Sequence, residues 1–535
     1  MRLLILLLSS LLVARAAAEP VVLGYYPSWK RSKMDGVDFS KYTHVNIAFG
    51  IPRSDGVVTF EDDWAMPTIT KQVRAGGAKV LLSVGGWTGS NYFSGILKDG
   101  SARERLLTSM VDYVRGNMLD GIDIDWEYPG RLGNACNVFD IQKDTPNFLA
   151  FLKDLRARFD SEFGARNKLI TLAVRVEPFD LGSGPVSDVA EFAQYVDYAN
   201  IMAYDINGGW NNDTGPNAPF DYEKGKGTPL SFVSAIDAWT KAGWPARQLV
   251  AGVGFYGRST IAQQNMMRDG TNQYQPQQHE VPLGDPEDAP WYDACAQTMS
   301  ASGTWQWKHL RNQGVLTDVR TAATPWQRYW DNVSQTPWLF NPTTKTFLSY
   351  DDPDSIRIKS SYAASRGLAG VMIWSANMDY NSELLDAARS FIANGGGGGG
   401  SGGTSNSSSG SANTASSSTS PPPAPATSTP QPATPSPSGP SSTASAEPAT
   451  QSPQPAPDTE MGPTPGSACS NHGRYQCIDP SGRNAAYLVC VGGKQVPASC
   501  ALGTVCLGFQ STIVCGWPVL RGLVEGVDSL LHAIY

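Results

Sequence analysis

Histidine is scarce in this chain: five in 535 residues. None forms an H-E-x-x-H pair or joins cysteines at zinc spacing, which excludes the common protein-bound zinc centres. The expectation is therefore no metal and no cofactor. Basic runs are lacking too. With 41 Lys and Arg against 49 Asp and Glu, the formal net charge is −8, and no Lys/Arg block is present to hold nucleic acid or an anionic membrane. No apolar stretch beyond the N-terminus is long enough to cross a bilayer. Cysteine is almost absent before the last 69 residues, where only Cys136 and Cys295 occur; spacing alone does not say whether they pair.

Small residues are abundant instead. The chain has 54 Gly and 38 Pro, too many for one packed globule. Within 395–466, 63 of 72 residues are Gly, Ser, Thr, Pro or Ala, with no aromatic, Lys or Arg. Such a segment cannot bury enough apolar surface to offset its ordering entropy. It reads as a tether, a Gly run followed by a Ser/Thr/Pro stalk of the O-glycosylated kind. Its ends as a free coil lie roughly 45–50 Å apart. At the N-terminus, Arg2, the apolar run Leu3 to Val13 and the small residues Ala16, Ala17 and Ala18 fit a secretory signal. A membrane anchor is the alternative, but the run is too short to span. The expected layout is a signal at 1–18, a large domain at 19–394, a linker at 395–466 and a module at 467–535. The protein is expected outside the cell, in the medium or at a cell wall.

The large domain repeats apolar β-rich runs, most followed by amphipathic stretches. The runs are Val21–Tyr26, Val45–Phe49, Val80–Val84, Gly121–Glu127, Leu169–Val174, Tyr198–Tyr204, Leu249–Phe255 and Ala369–Trp374. Continuous apolar strands alternating with helices indicate a parallel sheet. Eight units predict an α/β fold, a (β/α)8 TIM barrel, with an open doubly wound sheet as the alternative. The first helix cue is Ser101 with Glu104, a capping box ahead of Leu106, Met110 and Val114 on one face. Residues 259–350 are too many for one crossover and predict an inserted α+β subdomain between the seventh and eighth strands.

The chemical signal is Asp120-Gly-Ile-Asp123-Ile-Asp125-Trp-Glu127-Tyr-Pro-Gly. Side chains alternate with period two along a strand. Asp123, Asp125 and Glu127 share one face, and Ile122, Ile124 and Trp126 share the other. The apolar face suits packing on helices, so the carboxyls point into the barrel. Three adjacent carboxylates cannot all ionise cheaply, which predicts at least one raised pKa. Glu127 comes last, at the strand end where barrel enzymes place their chemistry. A solvated acidic rim is the bland alternative; a calcium site lacks the oxygen-rich loop it needs.

This strand resembles the catalytic strand of glycoside hydrolase family 18, the chitinases. Ser83-Val-Gly85-Gly86-Trp87 resembles the family's third-strand motif, Met202-Ala-Tyr204-Asp205 its sixth, Phe255-Tyr256-Gly257-Arg258 the end of its seventh, and Trp374 its eighth. Four motifs in the right order, each at an expected strand end, are highly specific. The insertion resembles that of chitinases with a deep, tunnel-like cleft. One departure lies on the fifth strand, where Ala173-Val-Arg175-Val-Glu177 puts charges where small apolar residues are expected, at the barrel floor.

The resemblance implies a substrate-assisted retaining mechanism, an exception to the two-carboxylate rule. Glu127 is the proton donor, Asp125 holds the substrate acetamido N–H, Asp123 shares a proton or hydrogen bond with Asp125, and Tyr204 orients the acetamido oxygen. Tyr25, Gly85, Gly86, Trp87, Tyr128, Met202, Asp205, Trp210, Tyr256, Arg258 and Trp374 are the implied substrate contacts. Flat rings at the mouth of a barrel suit the apolar faces of pyranose sugars. The implied partner is chitin or its N-acetylglucosamine oligosaccharides, bound by a monomer. An endo-β-N-acetylglucosaminidase acting on glycoprotein glycans is the alternative within the same chemistry. A catalytically dead chitin-binding lectin is the alternative outside it, and the presence of Glu127 speaks against that.

Six cysteines crowd the C-terminal module: Cys469, Cys477, Cys490, Cys500, Cys506 and Cys515. A short secreted module with six cysteines predicts three disulfides, with 15 pairings open, because its core is too small to hold alone. The pattern resembles carbohydrate-binding module family 19, a chitin binder. Tyr475, Tyr487, Phe509 and Trp517 are candidate stacking residues. An inert stabilising knob is the alternative. The tail from 519 to 535 has helical apolar spacing and no assigned task.

Overall fold

The computed structural model describes residues 19–293 and 298–393 and, beyond them, five short strands between 475 and 516. The segments 1–18 and 395–466, Cys295, Cys469, Cys500, Trp517 and the tail from 519 lie outside the described residues. The chain divides into two compact units, 1–409 and 410–535.

In the first unit, eight parallel strands close on themselves. They are β1 (Val21–Pro27), β2 (His44–Pro52), β3 (Lys79–Gly85), β4 (Gly121–Asp125), β5 (Leu169–Val174), β6 (Tyr198–Ile201), β7 (Leu249–Gly254) and β8 (Gly370–Trp374). Each pairs with the next, and β8 returns to β1 through Val21 opposite Gly370 and Leu23 opposite Met372. Closure removes both free edges, so the structure is a TIM barrel and not an open sheet.

Alternation along the strands makes two cores. Ile122, Ile124 and Trp126 belong to the large cluster between strands and helices. Val21, Leu23, Tyr25 and Met372 point the other way and fill the barrel interior. The helix after β3 runs Gly100–Gly116. Its cap is not the expected Ser101–Glu104 box. Asp99 takes that place, its carboxylate accepting the N–H groups of Ser101 and Ala102 at 2.8 Å. A carboxylate two residues earlier satisfies two orphan donors at once and starts the helix two residues sooner.

Two other expectations are corrected at strand ends. β4 stops at Asp125, two residues short of Glu127, so Glu127 lies on the loop beyond the strand. β5 stops at Val174, so Arg175 and Glu177 stand at the mouth and not at the floor. There they bond each other, and Arg175 also reaches Asp180 at 3.4 Å.

Between β7 and β8 the chain forms a five-stranded antiparallel sheet. In spatial order its strands are Thr304–Gln306, Tyr256–Ile261, Thr346–Ser349, Thr336–Asn341 and Gln327–Asp331. Its exit is clipped to the barrel by a buried ion pair. Lys359, on the helix Pro353–Ser365, donates to both Asp351 oxygens at 2.6 and 2.8 Å and to the Ala218 carbonyl at 2.6 Å.

In the second unit, Tyr475–Cys477, Ala486–Val491 and Lys494–Ser499 form an antiparallel sheet, and Val505–Phe509 pairs with Thr512–Gly516 as a hairpin. The hairpin register sets Cys506 opposite Cys515.

The clip yields a stability prediction. Lys359→Ala leaves Asp351 buried without its counter-charge, which should cost about 3–5 kcal/mol. Urea unfolding monitored by tryptophan fluorescence reads this; a loss below about 1 kcal/mol, the size of an ordinary substitution, would show that the pair is not a fastening point.

Candidate active site

The acidic face of β4 is graded from the barrel interior to the mouth. Asp123 lies deepest and is fully buried. Its Oδ2 accepts the hydroxyls of Tyr25 at 2.8 Å and Ser83 at 2.7 Å; its Oδ1 accepts Thr171 Oγ1 at 2.6 Å and Asn200 Nδ2 at 3.2 Å. The register explains this convergence, since Ser83 and Thr171 flank Asp123 on the neighbouring strands. Burial raises the Asp123 pKa, while the bonds from Thr171, Ser83 and Tyr25 oppose the rise.

Asp125 is different. It is 3 % exposed, and its Oδ1 is buried with no hydrogen-bond partner. Burial first, then the charges of Glu127 and Asp123, pushes its carboxyl well above the ordinary range. Glu127, 9 % exposed, completes the series. Burial pushes its carboxyl up to about 7; a hydrogen bond from Tyr128 pulls the other way and the charge of Asp205 adds to the rise.

The main chain of Glu127 is held on both sides. Its N–H donates to Ser90 Oγ at 2.9 Å, and its carbonyl accepts Asn137 Nδ2 at 2.6 Å. Ser90 in turn donates to the Gly86 and Asp125 carbonyls at 2.9 and 3.2 Å. Gly85, at φ +117°, lies so close that a Cβ would stand 2.2 Å from the Asp125 carbonyl oxygen. A side chain there would push β3 away from the acid strand, which is why the motif needs glycine. Ser90 and Asn137 escaped the sequence reading because single polar residues on loops carry no periodic signal. Cys136, beside Asn137, is disulfide-bonded.

Glu127, Tyr128, Met202, Tyr204, Asp205 and Arg175 line one cavity of about 250 Å3. Arg175 joins this wall although sequence reasoning treated it only as a departure. Tyr204 directs its hydroxyl at Met372 Sδ, 3.6 Å away, and burial raises its pKa well above the usual value. Asp205 Oδ1 accepts both Tyr256 Oη at 2.7 Å and Arg258 Nε at 2.6 Å. The Arg258 guanidinium lies 5.3 Å from the Trp210 ring centre, a cation–π distance. Trp87 and Trp210 are exposed.

Tyr25 departs from its expected place. It is 1 % exposed, with its hydroxyl committed to Asp123 and its ring 5.4 Å from that of Trp374. It therefore sits beneath the pocket as a support and offers no free face to a sugar. Trp374 also stacks with Phe49 at 5.8 Å, and Phe49 with the exposed Trp29 at 5.9 Å. Neither Phe49 nor Trp29 was singled out from sequence, because aromatic residues at strand ends read equally well as core.

This arrangement of acids at the end of the fourth strand of a closed barrel agrees with the family comparison. The model for glycosyl hydrolases family 18 matches residues 21–379. The chain belongs to this family. Among its family 18 relatives, a chitinase-like effector of Moniliophthora roreri is 35 % identical over 402 residues, covering 72 % of this chain and 97 % of that protein. Chitinase A1 of Niallia circulans is 28 % identical over 449 residues, covering 72 % of this chain and 60 % of that one. The crystal structure of a Rhizomucor miehei chitinase superposes with a TM-score of 0.64 at 34 % identity, covering 70 % of this chain and 100 % of that one. The family match stops at 379 and does not address the second unit.

The raised carboxyl gives a pH-dependent stability prediction. A folded pKa of about 7, above the ordinary 4.5, means that the folded state favours the protonated form. That contribution is full below the unfolded value and is lost as pH rises through about 7. Glu127→Gln carries no such titration. Thermal midpoints from pH 5 to 8 should therefore diverge in favour of the variant; parallel curves would place the carboxyl in its ordinary range.

Proposed function

We propose that this family 18 member is a secreted chitinase that hydrolyses the β-1,4 linkages of N-acetylglucosamine polymers by substrate-assisted, retaining catalysis. The observation that carries the reading is the graded acid series. Glu127 keeps a proton to about pH 7 at the mouth, directly above Asp125, whose open oxygen faces no protein donor. A saturated Asp123 beneath it cannot take that role.

In this reading Glu127 gives its proton to the glycosidic oxygen as the C1–O bond breaks. The acetamido oxygen of the same sugar attacks C1 and forms an oxazolinium ion. Asp125 accepts the acetamido N–H through its free oxygen and stabilises the positive charge. Tyr204 donates its hydroxyl to the acetamido oxygen and fixes its approach. Trp374, stacked on Phe49, receives the apolar face of the sugar. Water then opens the ring, Glu127 takes its proton, and the β-configuration is kept. Asp205 and Arg258 serve as polar sugar contacts near Trp210.

A second reading is favoured by a specific observation: relatives from two Moniliophthora species bear the name chitinase-like effector. That name leaves open the alternative of a catalytically dead chitin-binding lectin for this chain. The retained Glu127, with its perturbed pKa, supports the hydrolase.

Hydrolysis of colloidal chitin separates the two. The parent chain should release soluble oligosaccharides that appear first as β-anomers by NMR, and its kcat/KM should fall as pH rises above about 7, where Glu127 loses its proton. Glu127→Gln should lower turnover at least about a hundredfold and leave oligosaccharide binding intact. A parent chain that binds but releases nothing would establish the binding-only reading, and an initial α-anomer would mean inversion.

The proposal extends to the rest of the chain. Residues 1–18 direct secretion, 395–466 form the tether, and 467–535 form a three-disulfide chitin anchor that raises local enzyme concentration at an insoluble surface. Truncation after Asn394 should leave cleavage of soluble oligosaccharides nearly unchanged and lower degradation of insoluble chitin several-fold. Equal degradation and pull-down by the truncated chain would leave the module as an inert knob.

A further inference from the structure

Two acceptor triplets for N-linked sugar stand outside the machinery described above. They are Asn212-Asp213-Thr214 and Asn332-Val333-Ser334, each an N-x-S/T sequence of the kind that marks a surface loop in a secreted protein. A third, Asn406-Ser407-Ser408, belongs to the 395–466 segment and lies outside the described residues. Asn341-Pro342-Thr343 fails the pattern because proline takes the middle place. A triplet alone is a weak signal; the fold strengthens two of them.

Asn212 and Asn332 are both exposed. Asn332 sits in the turn between the strands Gln327–Asp331 and Thr336–Asn341. Asp331 holds that turn from within: its Oδ1 accepts the Val333 N–H at 3.0 Å, the Ser334 N–H at 2.7 Å and the Ser334 hydroxyl at 2.9 Å. The main chain of Asn212 is fixed by its carbonyl, which accepts the Gln277 N–H at 3.0 Å. The third residue of each triplet is buried, Thr214 at 1 % and Ser334 at 0 % exposure. Both meet the same residue. Thr214 Oγ1 donates to the Gln273 carbonyl at 2.6 Å, and Gln273 Nε2 donates to Ser334 Oγ at 2.9 Å. Two acceptors far apart in the chain therefore stand on one side of the insertion.

The strand beside Asn332 gives that position a task. Gln327–Asp331 is the outer strand of the five-stranded sheet, and among the described residues it pairs with Thr336–Asn341 alone. An unpaired strand edge is a template on which another chain can add a strand. Proteins blunt such edges with lysine, proline or a bulge. This strand, Gln-Arg-Tyr-Trp-Asp, has no lysine or proline, and its register runs without a shift. Arg328, Tyr329 and Trp330 are only half-buried. A bulky, solubilising oligosaccharide on the next residue would cover the edge that the sequence leaves open.

We propose that Asn212 and Asn332 carry N-linked oligosaccharides, which form one glycosylated face that shields the open edge of the insertion sheet. In the transfer, the side-chain amide nitrogen forms a bond to C1 of the first sugar as the C1–O bond to a lipid pyrophosphate donor breaks. The amide gives up one proton and the lipid pyrophosphate leaves. The hydroxyls of Thr214 and Ser334 are sealed once the fold closes, so transfer precedes folding. The proposal rests on the secretion reading above and is independent of whether the chain cuts chitin.

The test expresses the chain in yeast twice, once with residues 1–18 in place and once with a host secretory leader ahead of residue 19. Peptide-N-glycosidase in heavy-oxygen water converts each sugar-bearing asparagine to a labelled aspartate, which peptide mass spectrometry locates. Label is expected at Asn212 and Asn332 in both cultures, and not at Asn341. Either position unlabelled behind the host leader would overturn the proposal by itself. If only the culture with residues 1–18 keeps its chain inside the cell, the secretion reading fails and takes the proposal with it. The shield has its own readout. Asn332→Gln changes an exposed side chain and should raise the rate of aggregation on heating several-fold. Native removal of the sugars from the folded parent should do the same, and this arm stands even if the variant is not secreted. The aspartates left behind add negative charge, which opposes aggregation, so they cannot account for a rise. Equal aggregation rates before and after removal would overturn the shield.

Discussion

A carboxylate at the centre of a barrel is tolerable only if its lone pairs are filled. Asp123 meets that condition with four donors from four strands: Tyr25 on β1, Ser83 on β3, Thr171 on β5 and Asn200 on β6. These bonds cross the interior and fix how β4 is rotated within the sheet. With Asp123 inward, period two turns Asp125 inward as well, and Ile122 and Ile124 outward to the helices. The saturation of Asp123 also decides the state of Asp125. No donor is left for its Oδ1, which stays buried and open. A tightly satisfied acid beneath an unsatisfied one leaves the chemistry to the upper pair.

The second constraint acts on backbone. Glu127 is beyond the last strand residue, where a loop would ordinarily wander, yet both its N–H and its carbonyl are bonded to side chains. The glycines around it serve close approach. A Cβ on Gly133 would stand 1.9 Å from the Glu127 carbonyl oxygen, as one on Gly85 would crowd Asp125. The position of the acid is thus set by packed main chain and two short side chains, Ser90 and Asn137, and its elevated pKa by the burial that follows.

Much of this was legible beforehand. The alternation of Asp123, Asp125 and Glu127 with Ile122, Ile124 and Trp126 carried the inward acid face, because a strand has only two faces. Eight apolar runs carried the barrel, and each strand lies within a few residues of its expected run. Ends were less legible. The run Gly121–Glu127 contains a strand that stops at Asp125; the pattern continues past the ladder because the loop keeps the alternation for a different reason. At the helix Gly100–Gly116, Ser101 and Asp99 are both good caps, and only the folded geometry assigns Asp99. Arg175 looked like a charge in the barrel floor because its height depends on where β5 ends.

Periodicity and motifs in order are enough for the family, the closed-barrel expectation and the three acids on one face. Tertiary structure alone decided which acid is saturated and which is open, that Tyr25 supports the pocket from below, and that Ser90, Asn137 and Arg175 belong to the site. The reason is distance along the chain. Tyr25 and Asp123 are 98 positions apart, Asn200 and Asp123 are 77 apart, and Ser90 and Glu127 are 37 apart. A local pattern tells which way a side chain points; only closure of the barrel tells what it meets there.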